Sequence, residues 1–185
     1  MTFIRYAFAI VFLLAAMPTY AADWVRSGGE FRFEVTFKGI VWQGTIEQFD
    51  IVMSFDRRNF NKNSSLRVSV DLKGVDMYDP EFNAGIAGPD WLDVSNFPQA
   101  VFESERIEMS TPGQYLAIGT LTIKGNSETV TVPFHWIGGA QRAFVRGEFV
   151  VPRNIFNVGI GDRAIGDRVG LEVKLKFDLS LKRRE

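Results

Sequence analysis

Few side chains in this sequence could carry out covalent, acid–base or metal chemistry. The chain has no cysteine, which excludes disulfides, thiolate metal sites, iron–sulfur clusters and thiol nucleophiles. Its one histidine, His135, lies on the polar side of an alternating segment, where we expect it to be exposed or hydrogen-bonded. Because a histidine metal site needs further ligands, His135 alone does not predict one.

Carboxylates are concentrated in one stretch, at Asp76, Asp79, Glu81, Asp90 and Asp93. A calcium loop or an acid–base pair could be built from such residues. Their spacing matches no EF-hand, which needs a bidentate Glu at its twelfth position. We interpret them as a solvated loop with helix N-caps, since Asp and Ser-type caps favour helix starts.

A Gly-rich segment, Gly159-Ile-Gly161-Asp162, offers no better case for catalysis. It follows no β–α switch and has no third glycine at the spacing of a dinucleotide fingerprint, so we interpret it as a loop. The net charge is near zero, and the sequence has no basic block that would predict nucleic-acid binding. The sequence therefore predicts no enzyme, no metal site and no resident cofactor.

Apolar residues dominate instead, with 17 Phe spread along the chain. After residue 30 they alternate with polar residues, which is typical of strands with one dry face. The residues expected on an inward, ligand-binding stripe are Phe33, Val35, Phe37, Phe49, Ile51, Phe102, Leu121, Ile123 and Phe149. Periodicity alone leaves open whether this stripe is a packed core or the wall of a cavity.

Eight strands are predicted from the alternation. They cover residues 31–38, 49–55, 66–73, 100–109, 114–123, 129–137, 141–151 and 169–181. The predicted fold is all-β, an eight-stranded antiparallel up-and-down barrel with a short helical connection, and a two-sheet sandwich is the alternative. The connection spans residues 74–98, with helical turns expected near Pro80–Ile86 and Pro89–Val94, and a connection of this length is usually functional.

The N-terminal residues have the pattern of a secretory signal peptide. Arg5 precedes an apolar run from Tyr6 to Met17, followed by Pro18 and a small-residue site ending at Ala21. The run is shorter than the roughly 20 residues of a membrane-spanning helix. We therefore expect residues 1–21 to be removed, which leaves one domain, residues 22–185, in the periplasm.

Several motifs together resemble the YceI-like family of bacterial lipid-binding proteins. They are Phe33-Glu-Val-Thr-Phe-Lys-Gly39, Gly44, Phe49, Phe55-Asp56, Pro89-Asp-Trp-Leu-Asp-Val94, Asn96-Phe-Pro98, Val101-Phe-Glu-Ser104, Gly119-Thr-Leu-Thr-Ile-Lys-Gly125, Val130-Thr-Val-Pro133, Arg153-Asn-Ile-Phe-Asn-Val-Gly159 and Asp167. The resemblance implies a lipocalin-like barrel with an apolar tunnel for polyisoprenoids, quinones or fatty-acid derivatives. Many relatives have His where this chain has Phe37, which makes the wall here more apolar.

Two further residues enter the predicted site through this resemblance. Arg153 belongs to the family's Arg-x-x-Phe-like motif and would either contact a ligand headgroup or close the barrel end. Trp91 would be either a lid over the barrel mouth or an anchor that packs the long connection down. The resemblance also implies, as a partner, a membrane b-type cytochrome; a homodimer is a further possibility.

Three classes of function remain distinct at this point. The leading prediction is a periplasmic carrier for a long apolar ligand, namely a polyisoprenoid, an isoprenoid quinone or a fatty-acid derivative. The alternative is a filled barrel that acts as an interaction or stress-response module. A hydrolase or isomerase would depend on carboxylates alone, and no paired-carboxylate motif supports one.

The signal-peptide pattern yields a direct prediction about the exported protein. N-terminal sequencing of the protein isolated from its native host should show a mature chain that begins at Ala22 or Asp23, because small residues precede both bonds. A mature pool that retains Met1 would contradict the prediction.

Overall fold

The computed structural model describes residues 23–62, 64–160 and 168–184. The predicted signal peptide, together with Asp162 and Asp167, lies outside the described residues. The strands are β1 Asp23–Phe37, β2 Ile40–Ile46, β3 Phe49–Ser54, β4 Ser65–Asp71, β5 Val75–Asp76, β6 Gln99–Thr111, β7 Gln114–Ile123, β8 Asn126–Gly138, β9 Arg142–Pro152 and β10 Val169–Arg183. One α-helix, α1, spans Pro80–Ala87, and 3-10 helices span Leu72–Gly74 and Arg153–Phe156.

Eight of the strands close into an antiparallel barrel, which confirms the predicted fold. The order around the barrel is β1-β3-β4-β6-β7-β8-β9-β10, and β10 pairs with β1 to close it. This closing ladder runs from the Trp24–Arg183 pair to the Phe37–Val169 pair. A two-sheet sandwich is excluded because the first and last strands are hydrogen-bonded along nearly their whole length.

The first hairpin is longer than the sequence predicts. β1 begins at Asp23 rather than near Phe31, and β2 was not predicted. β2 and β3 pair with β1 in the same register, but β1 has no partner on this side between the Val25–Val52 pair and the Arg32–Thr45 pair. Gly44 interrupts the alternation of apolar and polar residues in β2. The fold requires a glycine at this position, since a Cβ on residue 44 would collide with the Phe33 ring.

The long connection holds one helix, not two. α1 lies where a helical turn was predicted, and Asp79 caps it by accepting hydrogen bonds from the backbone amides of Glu81 and Phe82. Of the one or two helical turns predicted, the turn at Pro89–Val94 is not helical, because Asp93 adopts a left-handed conformation with φ of 50° that a helix does not allow. No helix in the described ranges is long and apolar enough to cross a membrane.

One end of the barrel, the floor, is filled by aromatic rings. The floor cluster consists of Trp24, Phe55, Phe60, Tyr115, Phe134 and Trp136. Phe55 contacts three of the other rings, with centroid distances of 4.7 Å to Trp136, 5.0 Å to Tyr115 and 6.0 Å to Phe134. The indole N–H of Trp24 donates to the Phe55 carbonyl at 3.2 Å, so the cluster leaves that polar group satisfied.

The floor cluster predicts a large loss of stability on truncation of Phe55. Its side chain is 2% exposed, so Phe55→Ala should lower the free energy of unfolding by about 3–5 kcal/mol. Phe144→Ala is the matched control, because Phe144 is 53% exposed and its loss should change stability by less than about 0.5 kcal/mol. Urea denaturation of both variants measures the difference; equal losses would contradict a packed floor.

Candidate functional site

An apolar cavity of about 230 Å³ lies inside the barrel above the floor. An apolar cavity of roughly 150 Å³ is already large enough to stay dry and admit a small aromatic molecule. The wall is formed by inward side chains of the barrel strands, among them Ile51, Val70, Phe102, Leu121, Val145, Phe149, Leu175 and Phe177. Within the described residues Arg153 is the one charged or polar side chain on this wall.

The other end of the barrel, the cover, is built from three segments. They are α1, the connection that follows it and the 3-10 helix Arg153–Phe156 with its continuation to Gly159. The cover is tied together by hydrogen bonds: the Gly159 amide donates to Asp90 O at 2.9 Å, and Lys124 Nζ donates to Pro89 O at 2.6 Å and to Asn157 O at 3.1 Å. The cavity is therefore covered at the end opposite the floor.

Arg153 organises the cover through backbone carbonyl groups. Its side chain is 4% exposed, and it donates to Gly170 O at 2.9 Å, Val158 O at 2.8 Å, Gly159 O at 2.5 Å and Val169 O at 2.9 Å. Burial lowers the pKa of its guanidinium from the usual arginine value. Since four N–H groups already have acceptors, Arg153 joins the 3-10 helix to β10, and the structure favours the barrel-closing role over headgroup contact.

Trp91 is packed into the cover and also touches the cavity. The Arg153 guanidinium lies over its ring, 5.1 Å from the centroid. Gly159, at φ of 65°, passes so close that a Cβ there would lie 2.8 Å from the Trp91 ring. These contacts make Trp91 an anchor of the connection, while its ring still contributes to the cavity wall.

Nine of the eleven predicted ligand-binding residues lie on the cavity wall: Phe33, Val35, Ile51, Trp91, Phe102, Leu121, Ile123, Phe149 and Arg153. Ligand contact by these residues stays a prediction.

The structure places Phe37 and Phe49 away from the cavity. The β1–β10 ladder shifts register between Val35 and Phe37, and the Phe37 ring packs beyond the barrel against Trp42, at 6.2 Å, and Phe82, at 5.9 Å.

Phe49 packs against the wall rather than forming it. Its ring contacts the ring of Phe31 edge-on at 5.4 Å, and the Arg26 guanidinium lies 4.0 Å from its centroid. Phe31, by contrast, lines the cavity. The two-residue alternation correctly assigned Phe49 to the inward side of its strand. It could not show which neighbouring side chains would pack against its ring.

Several wall residues were not predicted as site residues. Those on strands, such as Val70, Val145 and Leu175, belong to alternating runs that already predicted inward faces, so the same signal could have identified them. Ile86, Phe156 and Val158 belong to the cover, which has no regular periodicity. No sequence pattern would have brought them to the barrel mouth.

The polar candidates have structural partners. His135 is exposed and its Nε2 lies 3.0 Å from Gln114 Nε2, as expected for a surface histidine. Asp76 accepts hydrogen bonds from the Asn83 side chain and the Tyr78 amide, which hold the pKa of its carboxyl below the usual value. Across the described ranges, no three His, Asp or Glu side chains are grouped so that they could hold a metal ion.

Comparison with known sequences identifies relatives across most of the chain. Residues 20–181 match the model of the YceI-like domain. A UPF0312 protein of Yersinia pestis is 32% identical over 119 residues, which is 64% of this chain and 61% of that protein. A UPF0312 protein of Vibrio cholerae is 28% identical over 123 residues, covering 66% of this chain and 65% of that protein. The matched region thus spans less than two thirds of these curated relatives.

Comparison with solved structures identifies the same barrel. BcnA of Burkholderia cenocepacia superposes with a TM-score of 0.78 and 30% identity, covering 82% of this chain and 95% of that chain. A polyisoprenoid-binding domain from Saccharophagus degradans superposes with a TM-score of 0.69 at 10% identity, covering 89% and 99%. The YceI protein of Campylobacter jejuni shares the fold with a TM-score of 0.65. With its family model matched from residue 20 to residue 181, the chain belongs to the YceI-like family.

Proposed function

We propose that the protein is a periplasmic carrier that holds one long apolar ligand, a polyisoprenoid, an isoprenoid quinone or a fatty-acid derivative, inside its barrel. The observation that carries the proposal is the cavity wall itself. It is built from aliphatic and aromatic side chains, and its one described polar side chain, Arg153, already donates four hydrogen bonds to carbonyl groups. Such a wall favours hydrocarbon, because a buried polar group of the ligand would lose its hydrogen bonds to water without replacement.

The energetics of burial support binding without a catalytic or metal group. Each CH₂ removed from water contributes roughly 0.8 kcal/mol. Two or three isoprene units therefore offset the entropy lost on association and bring the affinity to about the micromolar range. The apolar wall and the free energy of burial are sufficient to bind a hydrocarbon chain, so no enzymatic step is part of the proposal.

One structural neighbour is named for an apolar ligand of this class. The neighbour from Saccharophagus degradans is described as a polyisoprenoid-binding domain implicated in plant cell wall breakdown. At 10% identity it supports the fold alone, and the ligand class for this chain rests on its own cavity. A periplasmic location rests on the signal-peptide pattern, and a membrane b-type cytochrome partner and a homodimer stay predictions.

Retention of lipid by the purified protein tests the proposal directly. Native mass spectrometry should show the mature chain with an added mass, and organic extraction should release that mass as a lipid. A carrier keeps the added mass through purification because its ligand is enclosed between floor and cover. Protein that carries no extractable lipid and binds no quinone would instead support the filled-barrel module.

The cavity also predicts how two wall residues respond to truncation. Phe102 on β6 is 6% exposed but faces the cavity, so Phe102→Ala in delipidated protein should lose less stability than Phe55→Ala in the floor. Its quinone affinity should fall about tenfold, which corresponds to about 1.4 kcal/mol. Phe149→Ala, on a distant strand of the same wall, should behave likewise.

Urea denaturation of Phe102→Ala, Phe149→Ala and Phe55→Ala gives the loss of stability in each variant. Quinone titration of the same variants gives their ligand affinities. Phe144→Ala, on the outer surface, controls for nonspecific effects and should change neither. If Phe102→Ala and Phe149→Ala each lose as much stability as Phe55→Ala and keep the quinone affinity of the wild type, the interior is a packed core and not a ligand cavity.

A further inference from the structure

The barrel wall is not paired along the whole of every strand. β8 and β9 form a hairpin, yet their ladder ends at the His135–Arg146 pair. Above it, β8 continues to pair with β7 up to Asn126, and β9 continues to pair with β10 up to Pro152. Both strands therefore remain regular while they stop pairing with each other.

Pro133 explains where the pairing ends. The Pro133 carbonyl points toward β9, because a Cβ on Gly147 would collide with it. The nitrogen and carbonyl of one strand residue point to the same side, so the nitrogen of Pro133 also faces β9, and it carries no hydrogen to donate. The next rung of the ladder, opposite Glu148, therefore lacks one of its two hydrogen bonds, and the ladder does not continue beyond the His135–Arg146 pair.

The result is a seam in the barrel wall, bounded by residues 126–133 of β8 and residues 147–152 of β9. At about 3.4 Å per residue the β9 side is roughly 20 Å long. The seam is closed at its upper end, where the Asn126 side chain donates to Phe156 O at 3.1 Å. Thr129 and Thr131 present their unpaired peptide groups along its β8 edge, since they face the same way as Pro133.

The seam borders the cavity. Val132 on β8 and Phe149 and Val151 on β9 lie along the seam, and all three line the cavity. Separation of β8 from β9 at the seam would therefore open directly into the cavity.

Among the described residues, neither end of the barrel offers an equivalent opening. The floor is packed with aromatic rings. The cover is held by the four Arg153 hydrogen bonds and by the Lys124 contacts. α1 is the least anchored part of the cover, since none of its residues is fully buried and Phe82 attaches it to Trp42 at 4.8 Å. Movement of α1 is thus the rival route into the cavity.

We propose that the apolar ligand enters and leaves the barrel sideways, through the seam between β8 and β9. This inference rests on the proposed function and adds the route that the ligand takes. The strands that border the seam can separate further without breaking ladder hydrogen bonds, since none joins them there. Entry through either end, by contrast, requires packed rings or bonded cover segments to move.

Cross-linking across the seam tests the route. If the hairpin register is extended beyond its last pair, Thr131 comes opposite Val150, and both side chains are exposed. Because the chain has no cysteine, Thr131→Cys with Val150→Cys introduces one defined pair, joined by oxidation or with a short bis-maleimide. The matched control is Lys174→Cys with Val150→Cys, which joins β9 to its paired neighbour β10. Mass spectrometry verifies each cross-link before use.

The measurement is the rate at which decylubiquinone quenches tryptophan fluorescence on entry, and the rate of recovery on release. The seam cross-link should slow both rates at least tenfold, with the dissociation constant changed by less than a factor of three. The β9–β10 cross-link and the uncross-linked proteins should exchange ligand at the wild-type rate. Phe82→Ala, which removes the ring contact between α1 and Trp42, should also leave the rates unchanged.

Two outcomes would overturn the inference while leaving the proposed function intact. One is ligand exchange at the wild-type rate in seam-linked protein. The other is faster exchange in Phe82→Ala that persists with the seam linked, which would assign the route to α1. Wild-type protein that binds neither decylubiquinone nor any extractable lipid would overturn the proposed function, and the route with it.

Discussion

Closure of the sheet by its first and last strands is the constraint on which the rest of the molecule depends. β1 and β10 pair over nearly their whole length, from the Trp24–Arg183 pair to the Phe37–Val169 pair. Without this ladder the sheet would have two free edges and one apolar face in contact with water. Closure converts that face into an interior, and the circumference of eight strands leaves an interior that side chains can fill at one end and leave open in the middle.

The two ends of the barrel are stabilised by different physics. The floor is a dry aromatic cluster in which dispersion and apolar burial dominate, with the Trp24 indole as its one satisfied donor. The cover has little regular structure and depends on a buried guanidinium. Burying that charge is unfavourable, and four carbonyl acceptors offset the loss of water. Gly159 matters to the arrangement, since a side chain there would collide with both Arg153 and Trp91.

Sequence periodicity predicted the barrel because period two is a property of each strand by itself. It placed seven of the nine residues of the predicted inward stripe correctly on the cavity wall. It failed where neighbours decide the outcome: β2 was missed because Gly44 interrupts the alternation, and Phe37 was misplaced because β1 and β10 shift register beside it. The cover residues Phe156 and Val158 lay beyond prediction, because their carbonyl groups are held by hydrogen bonds from the side chains of Asn126 and Arg153. The family resemblance identified Arg153, but only the structure shows its four carbonyl acceptors.

A carrier needs an interior that is stable when empty and still accessible, and these requirements conflict in a closed barrel. A uniformly paired wall would protect the ligand but would have to break ladder hydrogen bonds for each exchange. The chain places Pro133 in β8, inside a segment of otherwise strong strand formers, and so removes a donor from one rung of the wall. Both flanking ladders, β7–β8 and β9–β10, are retained in full, so the loss at Pro133 stays between β8 and β9. The wall therefore stays paired on both outer sides of the seam and loses its ladder beside the cavity, where β8 and β9 can separate without breaking ladder hydrogen bonds.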